Sequence, residues 1–136
     1  MKTPKYSTNW QPVDIAEVIA IHQAIIKRAG TKAGIRDFSL LHSALERPKA
    51  TFEGIDLYPS IFLKAAALLH SMTLNHPFSD GNKRTAWLTT KRLLNINGFH
   101  LKAKRMNAAD FMVYVDNGKP ELAKIAAFLK SHSKKI

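Results

Sequence analysis

The chain has 136 residues and no cysteine, which excludes disulfides, thiolate nucleophiles and zinc–thiolate centres. At this length it reads as a single domain over 1–136 that buries its own core, and its 46% hydrophobic and 23% charged residues are those of an ordinary globular protein. The formal net charge of +11 draws polyanions (nucleotides, nucleic acid or an acidic protein) without choosing among them.

The first residues, MKTPKYSTNWQ, hold no apolar run of the kind a signal peptide needs, and no later run is long enough to span a bilayer. A soluble cytoplasmic protein is expected, with 1–11 and 132–136 as flexible tails. Ile15, Val18, Ile19, His22, Ile25, Ile26 and Ala29 recur at helical spacing between Pro12 and Gly30. His22 on that apolar face reads as a core or boundary residue. A second helix starts at Asp37 as N-cap, turns Leu40, Leu41, Ala44 and Leu45 inward, and closes at Pro48. Residues 49–58 lack helical period and centre on Gly54, which suits a short hairpin or flap. From about Pro59 to Leu74 the stretch IFLKAAALLHSM is apolar almost all round and should be the buried central helix, with His70 hydrogen-bonded inside it.

The segment HPFSDG interrupts the helical pattern. Helix resumes near Asn82 and runs to Asn97, with Gly98 just past its end and Ala86, Trp87, Leu93 and Leu94 facing the core. Two more helices, at about 107–116 and 120–131, bury Phe111, Met112 and Val115, then Leu122, Ile125, Ala126 and Leu129. About six helices and one hairpin make an all-α fold. Basic residues lie at 27–36, 83–92, 102–105 and 130–135, spread rather than blocked; a solvated surface accounts for them as readily as a binding face.

Chemistry concentrates in His76-Pro77-Phe78-Ser79-Asp80-Gly81-Asn82-Lys83-Arg84-Thr85. A loop with a histidine and a carboxylate leads into a helix N-terminus, where free N–H groups and the positive dipole end attract anions. Lys83 and Arg84 in the first turn are unfavourable for the helix itself, and a bound phosphate would remove that penalty. Asp80 has two readings: N-cap of the next helix, or oxygen ligand of Mg²⁺ together with phosphates. Of six histidines, His76 alone shares a loop with a carboxylate, a glycine and an anion-binding helix start, a setting that suits a general base. Gly81-Asn82-Lys83 lacks the spacing of a Walker A loop, and neither a zinc H-E-x-x-H nor a G-x-S-x-G elbow occurs.

HPFSDGNKRTA resembles the signature of the Fic/Doc family, roughly H-x-F-x-[DE]-x-N-[GK]-R, at every patterned position. The likeness continues in IRDFSLLHSALERP, LYPSIFLKAAALLHSMTLN and LLNINGFHL, and so covers roughly residues 13–101. The resemblance implies that His76 takes the proton from a target hydroxyl and that Phe78 anchors the loop. It implies that Asp80 holds Mg²⁺, that Gly81 and Asn82 shape an anion hole, and that Lys83 and Arg84 bind the phosphates of ATP. A flap near 49–56, with Thr51, Phe52 and Glu53, would dock an extended target segment by strand-like pairing. Lys83 stands where AMP-transferring members have a second glycine, and Trp87 where they have a further arginine. Both features resemble the death-on-curing branch, in which the nucleotide lies reversed. The implied reaction is phosphorylation of a protein hydroxyl, the family's known target being elongation factor Tu. AMP transfer on the same site is the alternative. The inhibitory motif [ST]-x-x-x-E-[GN] is absent from the chain, so the resemblance implies a separate antitoxin. A non-catalytic nucleic-acid-binding module, resting on the charge with Trp10, Trp87 and Tyr114, is a third reading; it has no use for His76, and nucleic acid is not expected as substrate.

Overall fold

The computed structural model describes residues 10–31 and 34–136. Six helices carry the fold: α1 (Ile15–Ala29), α2 (Phe38–Glu46), α3 (Ile61–Asn75), α4 (Asn82–Ile96), α5 (Arg105–Gly118) and α6 (Leu122–Ser131). A 3₁₀ turn at Arg47–Lys49 follows α2, and four short strands complete the elements: β1 (Thr51–Phe52), β2 (Ile55–Asp56), β3 (Phe99–Leu101) and β4 (Ser133–Lys135). The fold is all-α, as the helical periodicity predicts, with two small two-stranded antiparallel sheets, the β1–β2 hairpin and the β3–β4 pair.

Local chemistry sets most boundaries. The carboxylate of Asp14 accepts from Ala16 N at the start of α1, Asp37 accepts from Leu40 N at the start of α2, and the Ser60 hydroxyl accepts from Leu63 N at the start of α3. The Asp37 carboxyl is held below the usual carboxylate range, chiefly by the Ser39 hydroxyl and then by the Leu40 N–H. Gly30 ends α1 in the left-handed conformation, its N–H reaching Ile26 O and Lys27 O. The turn between β1 and β2 places Glu53 and Gly54 at positive φ (51° and 79°), the arrangement that matches the twist of a two-residue hairpin.

The core forms around α3. Its Ala65, Ala66, Leu69 and Met72 are sealed between α2, α4 and α6. The alanine run lets neighbouring helices approach closely, and each fully buried leucine stabilises by about 1.5–3 kcal/mol relative to exposure. Lys64 is the exception on this helix. It is buried with its ammonium 3.0 Å from Asp56, hydrogen-bonded to Tyr58 O and 5.0 Å from the Trp10 ring. That pairing ties the β1–β2 hairpin to α3. His70 is half-buried and hydrogen-bonded to Arg47 at 2.9 Å; desolvation first, and then the guanidinium charge, push its pKa below the ordinary value. Leu40, expected inward, is half-buried, and so is Trp87.

The chain ends depart from expectation where they are described. Residues 132–136 are not a tail: β4 pairs antiparallel with β3, Phe99 opposite Lys135 and Leu101 opposite Ser133, and Ile136 N donates to Gly98 O at 2.9 Å. Ladder hydrogen bonds hold the backbone while Lys134 and Lys135 stay in solvent, so composition alone read as a tail. At the other end, Trp10 is buried and Gln11 exchanges two hydrogen bonds with the Asn97 amide. The remainder of the expected N-terminal tail, 1–9, lies outside the described residues. No helix among the described residues is long and apolar enough to cross a membrane.

Candidate active site

The loop from His76 to Gly81 joins the two central helices α3 and α4, and three separate parts of the chain hold it. His76 ends α3 in the left-handed region (φ 47°), because Pro77 cannot continue the helix. Arg36, from the segment before α2, donates to His76 O at 2.7 Å and to Asn75 O at 2.9 Å, placing a cation on the carbonyls at the negative end of α3. The same segment pairs with the loop like a strand. Arg36 N and Asp37 N donate to Pro77 O, Ser79 N donates to Gly34 O, and Ile35 bridges Phe78.

Phe78 is 1% exposed and stacks face to face on His22 of α1, with ring centroids 3.8 Å apart. His22 Nε2 lies 2.9 Å from Asp80 O. A carbonyl only accepts, so the imidazole donates from Nε2. The buried histidine foreseen as a core residue thus also fixes the backbone of the loop. Asn82, the first residue of α4, closes it from below: Phe78 N donates to Asn82 Oδ1 and Asn82 Nδ2 donates to Phe78 O, both at 2.9 Å. Both polar atoms of this amide are occupied by main chain, so Asn82 shapes the loop through that clamp.

Gly81 is the N-cap of α4 at φ 75°, a conformation that favours glycine, and a Cβ there would sit 3.4 Å from Ile26. It brings no capping side chain, so the first-turn N–H groups of α4 have no side-chain acceptor. The capping reading of Asp80 fails on this geometry. Asp80 precedes the N-cap and its Oδ1 accepts from Gly81 N at 2.8 Å, not from the second or third N–H of the helix. Its carboxylate is exposed, with Oδ1 alone engaged.

His76, Asp80, Lys83 and Arg84 are all exposed at this helix start. One further residue joins them. Asp116, in the last turn of α5, lies 3.1 Å from Lys83 Nζ and 3.8 Å from His76 Nε2. It offsets one of the two cations that the α4 dipole disfavours. Sequence reasoning missed Asp116, and no spacing rule could have found it, since 33 positions separate it from Lys83. Among the described residues no cluster of three or more His, Cys, Asp or Glu could hold a metal alone. A magnesium ion would therefore take Asp80 plus phosphate oxygens and waters, a donor set that Mg²⁺ accepts.

Two grooves open beside this helix start. One, of about 780 Å³, runs between α1 and α4; the other, of about 440 Å³, lies between α4 and α5. Arg84, Leu88 and Arg105 line both. The β1–β2 hairpin, the expected flap, exposes Phe52 and Ile55 at 68% and 70%, with Thr51 and Glu53 beside them.

Comparison with known proteins agrees with this layout. The profile of the Fic/DOC family matches residues 12–94, from the start of α1 through most of α4. The toxin Doc of Mycolicibacterium smegmatis (strain ATCC 700084 / mc(2)155) is 49% identical over 84 residues. That match spans 62% of this chain and 60% of the relative's length. With more than half of the chain matched, including the whole loop, α3 and most of α4, the protein belongs to the Fic/DOC family.

Proposed function

We propose that the chain is a Doc-like toxin. It transfers the terminal phosphoryl group of ATP, with Mg²⁺, to a hydroxyl of a protein target, elongation factor Tu or a protein like it. The observation that carries this reading is the uncapped start of α4, ringed by a histidine, a carboxylate and two cations on a loop held from three sides. His76 takes the hydroxyl proton as that oxygen attacks phosphorus. The bond from the terminal phosphorus to its bridging oxygen breaks, and ADP leaves. Lys83, Arg84 and the α4 N–H groups hold the phosphates in line, and Asp80 would hold Mg²⁺ through its carboxylate. Bound Mg²⁺ would neutralise charge on the transferred group. The exposed Phe52 and Ile55 of the hairpin, with Thr51 and Glu53, offer the target segment an apolar and polar edge to dock on.

Inhibition comes from a separate antitoxin. The α1–α4 groove suits an acidic amphipathic segment, with Ile21, Ile25 and Leu88 along its floor and Arg28, Arg84 and Lys91 around it. Because Arg84 belongs to the phosphate site as well, a segment seated there would block the nucleotide.

The test uses purified protein with Mg²⁺ and elongation factor Tu, comparing ATP labelled at the γ-phosphate with ATP labelled at the α-phosphate. Label should pass from the γ position only, and His76→Ala should lose about 10²–10⁴ in rate. Transfer from the α position only would establish AMP transfer instead. Full activity in His76→Ala would refute the mechanism.

A further inference from the structure

Asp116 stands in the last turn of α5, where a carboxylate faces the negative end of its own helix, and no basic residue in that turn offsets it. Lys83 stands in the first turn of α4, equally misplaced on a positive end. The two meet at 3.1 Å through Oδ2 of the carboxylate, and mutual compensation accounts for that oxygen. It does not account for the other. Oδ1 lies 3.8 Å from His76 Nε2, too long for a hydrogen bond, and among the described residues Asp116 is the one carboxylate in ion-pair reach of that imidazole. The Asp116 side chain is 20% exposed, against 45% for Lys83 and 48% for His76, so the carboxylate is the seated member and its two partners are the ones free to move. Arg36 fixes the main chain of His76 through its carbonyl, but a backbone hydrogen bond leaves χ1 and χ2 of the ring open.

We infer that Asp116 is a positioning residue for His76, held off the imidazole by Lys83 until a phosphate takes Lys83. The inference rests on the phosphate site proposed above. Lys83 has one ammonium on a flexible stem, and an arriving phosphate competes with Asp116 for it. Once Lys83 turns to the phosphate, the carboxylate loses its cation and closes on the imidazole beside it. His76 then donates from Nε2 to Asp116, and Nδ1 keeps the lone pair. That lone pair accepts the proton of the target hydroxyl as its oxygen bonds to phosphorus and the bridging oxygen leaves with ADP. The carboxylate faces the positive charge that the ring acquires, so it favours the transfer step rather than the binding of nucleotide. One shared anion thereby couples nucleotide binding to the orientation of the base. Affinity is given up in breaking the Lys83 pair, and rate is gained when the ring is held.

Two measurements test this, one of them independent of transfer. With Mg²⁺ present, Asp116→Ala should bind ATP up to about fivefold tighter in titration calorimetry, the worth of the lost ion pair. Its kcat for γ-phosphate transfer should fall about tenfold, part of the roughly 10²–10⁴-fold that a general base supplies. An unchanged or raised kcat would overturn the inference, as would a lowered kcat accompanied by weaker ATP binding. The second readout is NMR of protein labelled in its histidine ring nitrogens, titrated with Mg²⁺ and inorganic tripolyphosphate. In wild type, His76 should pass from a mixture of tautomers to the one with its proton on Nε2 as the probe binds, and in Asp116→Ala the mixture should persist. Identical ring shifts in the two saturated proteins would refute the positioning role. If wild type transferred no phosphate but showed the tautomer change, the coupling would stand and the proposed reaction would fall. If wild type bound neither ATP nor tripolyphosphate, the phosphate site would fall, and this inference with it.

Discussion

The Asn82 amide offers the sharpest test of how the loop is held. Its two hydrogen bonds to Phe78, both 2.9 Å and partly buried, are lost together in Asn82→Ala. At about 1 kcal/mol for each bond, the variant should lose about 2 kcal/mol. For 136 residues, an unfolding entropy of about 2.1 cal/mol/K per residue gives about 0.29 kcal/mol/K, so the melting temperature should fall by about 7 °C. The loop would then sample positions away from the α4 N-terminus, and the proposed phosphoryl transfer would fall with the melting temperature. Calorimetric melting and γ-phosphate transfer, measured on the same preparations, check this. A melting temperature within a degree of wild type, with transfer abolished, would refute the clamp and give Asn82 a direct contact with the nucleotide.

Asp116→Ala removes the acidic partner of Lys83 and should tighten ATP binding by up to about fivefold, the worth of a partly exposed ion pair; weaker binding in calorimetry would instead make Asp116 part of the ligand site. Lys64→Ala takes away the buried cation that Asp56 faces and should cost about 3–5 kcal/mol in denaturant unfolding; a loss below 1 kcal/mol would mean that solvent reaches the pair. Phe78→Ala should cost about 3–5 kcal/mol, and Phe78→Leu much less, since the pocket against His22 is sealed; equal melting temperatures for the two would contradict the stacked anchor. His70 has its folded pKa below the unfolded value, so the unfolded chain binds more protons as pH falls. Its contribution is fully present above about pH 6.5 and is lost as pH drops through the lowered value. His70→Gln should flatten the melting-temperature profile below pH 6.5, and an unchanged profile would count against this assignment.

What the sequence could determine by itself was local. Asp37 announces a helix start, and Gly30 and Gly98 announce ends, because caps and left-handed residues act within a few positions along the chain. The apolar run of 61–75 marks a buried helix whatever packs on it, and Gly54 marks a hairpin turn. The row of residues from His76 to Arg84 is equally local, which is why one segment sufficed to point to the family. Tertiary structure decided everything that depends on partners far along the chain. Arg36 reaches the end of α3, His22 holds the Asp80 carbonyl, and Asp116 comes to Lys83 from α5. None of these leaves a periodic trace, because a side-chain contact across helices needs only proximity. The C-terminal strand is the same case. Lys134 and Lys135 carry the composition of a tail, and their order comes from backbone hydrogen bonds to β3, which composition does not encode. Asp80 shows the boundary most directly. Residue type allowed both a cap and a metal ligand, and the positive φ of Gly81 moved the helix start one residue on, leaving the carboxylate outside the helix and open to solvent.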